Sequence, residues 1–436
     1  MARLKANQEL LVEGSNQRCR VIELLGEGGQ GEVYRVQVGS QNLALKWYFR
    51  SFATSEQRQA LDYLILNESP MSRSPTDRFL WPTHLVSNEQ ASGLGYLMAL
   101  RGKEYEGIQA LLNGRPSPSL KVLCTAGMQL SHSYLQLHSQ GLSYRDISMG
   151  NAFFDPSTGD ILICDNDNVA PNRSKKAIIK GTPRFMAPEV VRGEALPSTE
   201  TDLFSLSVLL FYFFMLHHPF EGMRDTQIHC LDAVAVDELY GRNPIFIFDP
   251  DDKSNAPDPR YHRRVLNYWP IYPQFIRDRF TRAFTEGIRN PNKRVRESEW
   301  RRDLARLQDS IIYCNCKAEN FYDYSETQQS RCWACGAAVQ VPFKIRIEDR
   351  TVTLNHGRQL FPHHLDGSSY DFNIPVAEVT EHPTIKGTWG LENQTSVKWV
   401  IGFTDGSMKD LEPGRRIVLK SGTKIHFGKV VGEICN

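Results

Sequence analysis

One stretch of six residues, Gly26-Glu-Gly-Gly-Gln-Gly31, constrains this chain more than any other. It spells G-x-G-x-x-G, and glycines let backbone N–H groups approach an anion with no Cβ in the way. Alone, the pattern suits a dinucleotide-binding βα turn or a plain β-hairpin equally well. The context separates them: Gly31–Val38 continues as a strand, not a helix, which disfavours the dinucleotide reading. The next strand, Asn42–Tyr48, carries Lys46 within an apolar run. An ammonium there is unfavourable unless it meets anions.

Further along, Tyr144-Arg-Asp-Ile-Ser-Met-Gly-Asn151 sets Asp146 and Asn151 five positions apart in a loop. Asp165 follows the apolar strand Ile161–Cys164. Phosphoryl transfer asks for such a set. It needs a carboxylate to orient a hydroxyl and accept its proton, an amide and a second carboxylate for Mg²⁺, and a lysine for nucleotide phosphates. Gly181-Thr-Pro-Arg-Phe-Met-Ala-Pro-Glu189 comes next, then Asp202 opening an apolar helix, then Arg294.

In order and spacing, from about Arg18 to Gln308, these motifs resemble the eukaryotic-like Ser/Thr protein kinase family. The resemblance implies an α+β bilobal fold, with a small β-rich lobe, a larger helical lobe and ATP in the cleft. It implies that Gly26, Gly28 and Gly31 form the phosphate loop, that Val33 covers the adenine and that Lys46 meets the phosphates. Asp146 matches the catalytic base, and Asn151 and Asp165 the Mg²⁺ ligands. Arg145 matches an arginine that receives an activation-loop phosphate, for which Ser174 is the candidate. A solvated or substrate-docking basic loop explains "PNRSKKAIIKGT" equally well. Thr182 matches the threonine of Ser/Thr-directed members. Glu189 with Arg294 matches a structural ion pair, and Asp202 the support of the catalytic loop.

Four positions depart from the family. Tyr144 replaces a histidine whose work is packing and hydrogen bonding. Ser148 replaces a lysine, so a charge near the transferred phosphate is missing. The helix that would give Lys46 a glutamate partner offers Glu56, Gln57, Gln59 and Asp62, and apolar spacing puts Gln59 or Gln57 at that place. Asn166 and Asp167 follow Asp165, where the family has Phe and Gly; both residue types tolerate turns and can lock one by side-chain hydrogen bonds. With Lys46, Asp146, Asn151 and Asp165 retained, an active enzyme is the favoured reading. A nucleotide-binding scaffold is the alternative, and a small-molecule kinase a third.

The remaining chain has its own signals. Cys314-Asn-Cys316 precedes Cys332-Trp-Ala-Cys335-Gly336 by fifteen residues. Four thiolates on two loops suit tetrahedral Zn²⁺, and no thioredoxin-like pattern favours redox chemistry. From Val341, short alternating strands with "TDGS", "EPG" and "KSG" turns predict an all-β sandwich. "HGRQL", "VTEHP", "GLENQTS" and "LKSGTKIHFG" resemble a forkhead-associated domain. There Arg358 and Asn393 match phosphothreonine-binding positions, while Val379 stands at the family's serine. A docking sandwich is the other reading. The expected division is a leading segment 1–17, a kinase domain 18–310, a zinc ribbon 311–340 and a β-sandwich 341–436. This combination resembles bacterial kinases that work beside a von Willebrand A protein and a PP2C-type phosphatase.

A formal net charge of +1 gives no overall field for nucleic acid or acidic membranes. The longest uncharged apolar run, Leu203–Leu216, is shorter than the roughly 20 residues of a membrane span and predicts a core helix. Scattered cysteines and an N-terminus with no signal-peptide pattern predict a reduced, cytoplasmic protein. Helices are further expected over Thr54–Asn67, Leu120–Leu137, Pro273–Arg289 and Trp300–Ile312, and a surface loop over Arg242–Tyr268.

Overall fold

The computed structural model describes residues 4–65, 74–88, 93–174, 181–323, 331–367, 370, 372 and 374–436. It divides into two compact units. The first comprises residues 1–118, 125–269 and 278–301; the second comprises 119–124, 270–277 and 302–436.

The first unit begins with six antiparallel strands: β1 (Glu9–Val12), β2 (Arg18–Glu27), β3 (Gly31–Val38), β4 (Gln41–Tyr48), β5 (His84–Ser87) and β6 (Leu94–Ala99). They close into a barrel in the order β1-β2-β3-β4-β6-β5, with β1 pairing β5. Side chains alternate across each strand. Leu10, Val12, Val21, Val36, Leu45, Trp47 and Leu97 fill the barrel. The other face of β4, carrying Ala44, Lys46 and Tyr48, turns toward Leu61, Tyr96 and Met98, with Leu61 on helix α1 (Ser55–Ile65). Thr54 caps α1 by accepting from the Gln57 N–H at 3.2 Å. Gly31 is required by close approach: a Cβ there would lie 2.2 Å from the Trp47 carbonyl oxygen.

The rest of the unit is mainly helical. The apolar run forms a buried helix, Thr199–Met215, whose N-cap Ser198 makes a capping box with Thr201. It begins four residues before the run, so Asp202 sits in its first turn. Three sequence expectations need correction. Pro273–Arg289 is not one helix: it breaks at Thr285, between Gln274–Phe284 and Glu286–Arg289. Trp300–Ile312 is not helical to its end, because the helix Glu297–Asp309 stops where the β-branched pair Ile311-Ile312 enters a strand. The loop Arg242–Tyr268 turns helical at Arg263–Tyr268. Its irregular part is pinned by buried Asn255, whose Nδ2 donates to the Phe220 and Ile245 carbonyls at 2.8 and 2.7 Å.

In the second unit, Ile311–Tyr313 pairs with Glu319–Phe321 as a hairpin beside the cysteines. Beyond it lie two antiparallel sheets. One runs Arg350–Thr353, Lys344–Ile347, Val431–Cys435, Lys424–His426, Trp399–Gly402, Met408–Leu411. The other runs Gln359–Leu360, Ala377–Glu381, Trp389–Asn393, Arg416–Val418. Residues from both, including Ile345, Val352, Val379, Leu391, Trp399 and Ile425, share one apolar core. Among the described residues, no helix is long and apolar enough to cross a membrane.

Candidate active site

Lys46 projects from β4, between β3 and β6, on the face opposite the barrel core. Its Nζ lies 3.2 Å from Asp165 Oδ1 and 3.0 Å from both Asp167 oxygens. Gln30, in the glycine hairpin, offers Oε1 to the same ammonium at 3.4 Å. The hairpin is tight, with Gly28 N–H donating to the Gly31 carbonyl at 2.8 Å. Gly26 and Gly28 are exposed and Gly31 is buried. Val33, directly opposite Lys46 in the β3–β4 register, packs half-buried against the Ala44, Tyr96 and Met98 cluster. Burial alone would push the Lys46 ammonium toward neutrality; the charges of Asp167 and Asp165 outweigh it and hold the pKa above the ordinary lysine value.

The expected glutamine partner of Lys46 is not found. Gln59 is exposed, and buried Gln57 donates its Nε2 to Tyr48 Oη at 2.9 Å instead. The counter-charge comes from Asp167, which also accepts from the Tyr48 and Tyr96 hydroxyls, the latter at 3.0 Å. Asp167, Tyr48 and Tyr96 escaped the sequence reading. Two signals point to them: Tyr48 follows Lys46 by two on the same strand face, and a buried ammonium needs an anion where α1 aligns a glutamine. Tyr96, which faces Lys46 in the β4–β6 register, was visible only once that pairing was known.

The turn that carries both aspartates is short and tied to its strand. Asp165 adopts the left-handed conformation (φ 53°, ψ 41°), followed by one 3-10 turn over Asn166–Asn168. Asn166 is fully buried and ties the turn to its strand, Nδ2 donating to the Ile163 carbonyl at 3.0 Å. Burial, with the neighbouring Asp167 charge, raises the Asp165 pKa against the pull of Lys46.

Asp146 and Asn151 sit on the preceding loop. The Asn151 Nδ2 donates to the Asp146 carbonyl at 2.9 Å and to Asp146 Oδ2 at 3.2 Å, using the amide nitrogen and leaving the amide oxygen out of these bonds. Thr182 Oγ1 donates to Asp146 Oδ1 at 2.7 Å. Burial raises the Asp146 pKa, and the Thr182 and Asn151 bonds oppose it. Asp202 fixes the loop by accepting the Tyr144 and Arg145 N–H groups at 2.6 and 2.9 Å. The Tyr144 hydroxyl donates to the Cys164 carbonyl, beside Asp165, so the tyrosine performs the support expected of it. Arg145 donates to the Pro171 carbonyl at 3.2 Å, and the Ser174 N–H reaches that carbonyl at 3.1 Å. Residues 175–180, which hold the basic run, lie outside the described residues. Arg294 pairs with Glu189 at 2.8 Å.

Asp202 is braced in turn by His138, whose Nε2 is 3.2 Å from Asp202 Oδ2 and whose Nδ1 bonds Glu297. Burial would lower the His138 pKa, but the bonds to Asp202 and Glu297 lift it from 6.5 to about 9. The folded value exceeds the unfolded one. Protonated His138 therefore stabilises fully below about pH 6.5, and that contribution is lost as pH rises through about 9, on the order of 3 kcal/mol. Urea unfolding should show stability falling across this window, with a shallower fall in His138→Gln. Parallel slopes would count against the pairing.

In the second unit the four expected zinc ligands converge. Cys314 Sγ is 3.6 Å from Cys335 Sγ, and Cys316 Sγ is 3.7 Å from Cys332 Sγ. All four lie within 4.8 Å of one another. Each loop turns on a positive-φ residue, Lys317 (71°) and Gly336 (74°). Burial would raise the Cys332 thiol, but the Cys335 and Ala334 N–H groups and the Asn320 amide bring it down to about 6. Elsewhere in this unit, His364 Nε2 meets the buried Asp309 carboxylate at 3.1 Å while its Nδ1 accepts the Phe361 N–H at 2.8 Å, so both ring nitrogens are engaged. The residues matched to phosphothreonine binding are engaged too. Arg358 donates to the Gln308 carbonyl at 2.9 Å, and Asn393 bonds Thr395 and the Val397 carbonyl. Val379 is a buried strand residue.

Comparison with known proteins agrees with this geometry. The protein kinase domain family matches residues 19–258, more than half of the 436. The chain is 28% identical over 220 residues to the DNA damage-responsive serine/threonine-protein kinase RqkA of Deinococcus radiodurans, covering 48% of this chain and 32% of that protein. It is 25% identical over 288 residues to serine/threonine-protein kinase SAPK3 of Oryza sativa subsp. indica, covering 58% and 79%. It is 25% identical over 238 residues to serine/threonine-protein kinase pkn2 of Myxococcus xanthus, covering 50% and 26%. The chain thus spans about a third of the length of RqkA and about a quarter of pkn2. A glycine hairpin over a buried lysine, a carboxylate–amide loop and an aspartate turn, all within the matched region, have one common account: the chain belongs to the protein kinase family.

Proposed function

We propose that this chain is an ATP- and Mg²⁺-dependent protein kinase that transfers the γ-phosphate to Ser or Thr of a protein substrate and phosphorylates itself. The carrying observation is the contact of the buried Lys46 with Asp165, 3.2 Å apart, although the two residues are 119 positions apart in sequence. Two carboxylates around one ammonium leave a negative site of hard oxygen donors, which suits a divalent cation. Asn151 and Asp165 would hold Mg²⁺, which neutralises phosphate charge when bound. Lys46 and the loop of Gly26, Gly28 and Gly31 receive the phosphates, under Val33 at the adenine. Asp146 orients the substrate hydroxyl and takes its proton as the new O–P bond forms and ADP leaves. Ser174 beside Arg145 is the proposed regulatory phosphosite.

The same reading assigns residues 18–310 to the kinase domain. It makes 311–340 a zinc ribbon on Cys314, Cys316, Cys332 and Cys335, since thiolates about 2.3 Å from zinc sit about 3.8 Å apart in a tetrahedron. It makes 341–436 a forkhead-associated-like sandwich used for docking, because Arg358 and Asn393 are bonded within the fold. A von Willebrand A protein and a PP2C-type phosphatase are the proposed partners, on resemblance. A cytoplasmic location fits nine cysteines that are all unpaired.

The test is incubation of the chain with radiolabelled ATP and Mg²⁺ beside Asp165→Ala. Label on the wild type alone is expected. Nucleotide binding with no label on either, even with candidate partners added, would favour the scaffold reading.

A further inference from the structure

Asp167 stands where a glycine would serve as a hinge, yet it makes more bonds than any other acid in the cleft. Its side chain is 0% exposed, against 36% for Asp165. Oδ1 accepts from Lys46 and Tyr96, each at 3.0 Å; Oδ2 accepts from Lys46 at 3.0 Å and from Tyr48. Three donor groups, the Lys46 ammonium and the Tyr48 and Tyr96 hydroxyls, make four contacts to one carboxylate. None of the hydrogen-bond partners of Lys46 lies on α1. That helix packs Leu61 against the same tyrosines and hydrogen-bonds the cluster through Gln57, which steadies Tyr48.

From this we infer that Asp167 is the positioning residue for Lys46: it aims the ammonium at the nucleotide phosphates from the metal-side turn, and α1 does not. This rests on the phosphotransfer reading of the cleft. The two aspartates divide the work by exposure. Asp165 faces the cleft and can exchange Lys46 for a cation. Asp167 is sealed behind Tyr48 and Tyr96 and keeps its hold when that exchange occurs. Lysine alignment and metal-ligand placement are then set by one turn, Asp165–Asn168, and need no movement of α1.

The distinguishing experiment is a double-mutant cycle read as Mg-ATP affinity by calorimetry, with labelled-phosphate transfer measured in parallel. Asp167→Asn keeps the shape and removes the charge. On the wild-type chain it should weaken Mg-ATP binding about tenfold, the scale of a hydrogen bond to a charged group. On a Lys46→Met chain it should change affinity less than about twofold, because its target is gone. Equal affinity in wild type and Asp167→Asn overturns the inference, as does the same loss on both backgrounds. If Asp167→Asn does not fold, Tyr96→Phe carries the same comparison with a loss of about threefold, since it removes one neutral donor and keeps the charge. A wild type that binds Mg-ATP without transferring phosphate ends the phosphotransfer reading but leaves the affinity cycle to decide the role of Asp167. A wild type with no affinity for Mg-ATP overturns both.

Discussion

An Asp146→Asn chain is expected to transfer phosphate about 10²–10⁴ times more slowly than the wild type, the usual worth of a positioned general base. Its Mg-ATP affinity and unfolding midpoint should barely move. The asparagine keeps an oxygen to accept from Thr182, 2.7 Å away; it loses the 3.2 Å bond from Asn151 Nδ2, which keeps its 2.9 Å bond to the backbone carbonyl of residue 146, and the loop stays fixed by Asp202 through the Tyr144 and Arg145 N–H groups. What disappears is a site for the proton. Burial of Asp146 raises its pKa, which brings the carboxylate closer to the working pH of a base. Initial rates on a protein or peptide acceptor, beside a thermal melt, would measure both. Transfer within about threefold of wild type would remove Asp146 from the chemistry.

The second large effect is expected at the cysteines. The chain should carry one zinc ion, lost in a Cys332→Ser, Cys335→Ser double variant, and residues 311–340 should then become readily cleaved by protease. The reason is the size of the local core. Among the described residues, the buried cluster there is Ile312, Cys314, Cys332 and Val339, and two of the four are proposed ligands. So small an apolar cluster does not hold a segment of this length by itself, whereas structural zinc in small peptides contributes on the order of 10 kcal/mol. Elemental analysis and limited proteolysis of the full chain would decide. A metal-free chain with the same protease resistance would refute the zinc assignment.

The sequence made some features plain and hid others, for physical reasons. Features written in consecutive residues were legible: the glycine hairpin, the strand bearing Lys46, the apolar helix and the paired cysteines. Helix ends were less so. Ile311 and Ile312 continued an apolar spacing but joined a strand once Glu319–Phe321 lay beside them. The partner of Lys46 is not legible in α1, where apolar spacing points to Gln57 or Gln59. The carboxylate that reaches it lies 121 residues away, on a turn whose left-handed entry at Asp165 aims Asp167 inward. In the second unit, the resemblance carried by "HGRQL" and "GLENQTS" matches Arg358 and Asn393 to a phosphate site, and what the sequence does not show is that each also donates to a backbone carbonyl of the fold. A resemblance names a residue but does not say what it touches.

Closure of the barrel by β1 bears on how the chain can be shortened. Trimming to the family-matched region, which starts at residue 19, would delete Leu10 and Val12, 1% and 2% exposed, from the barrel interior. It would also strip the strand that pairs with both β2 and β5. Two rows of N–H and C=O groups would then face water beside an opened apolar core, the combination that recruits strands from neighbouring molecules. A kinase fragment cut at that boundary would self-associate, and its lost solubility could be mistaken for a need for the missing C-terminal half.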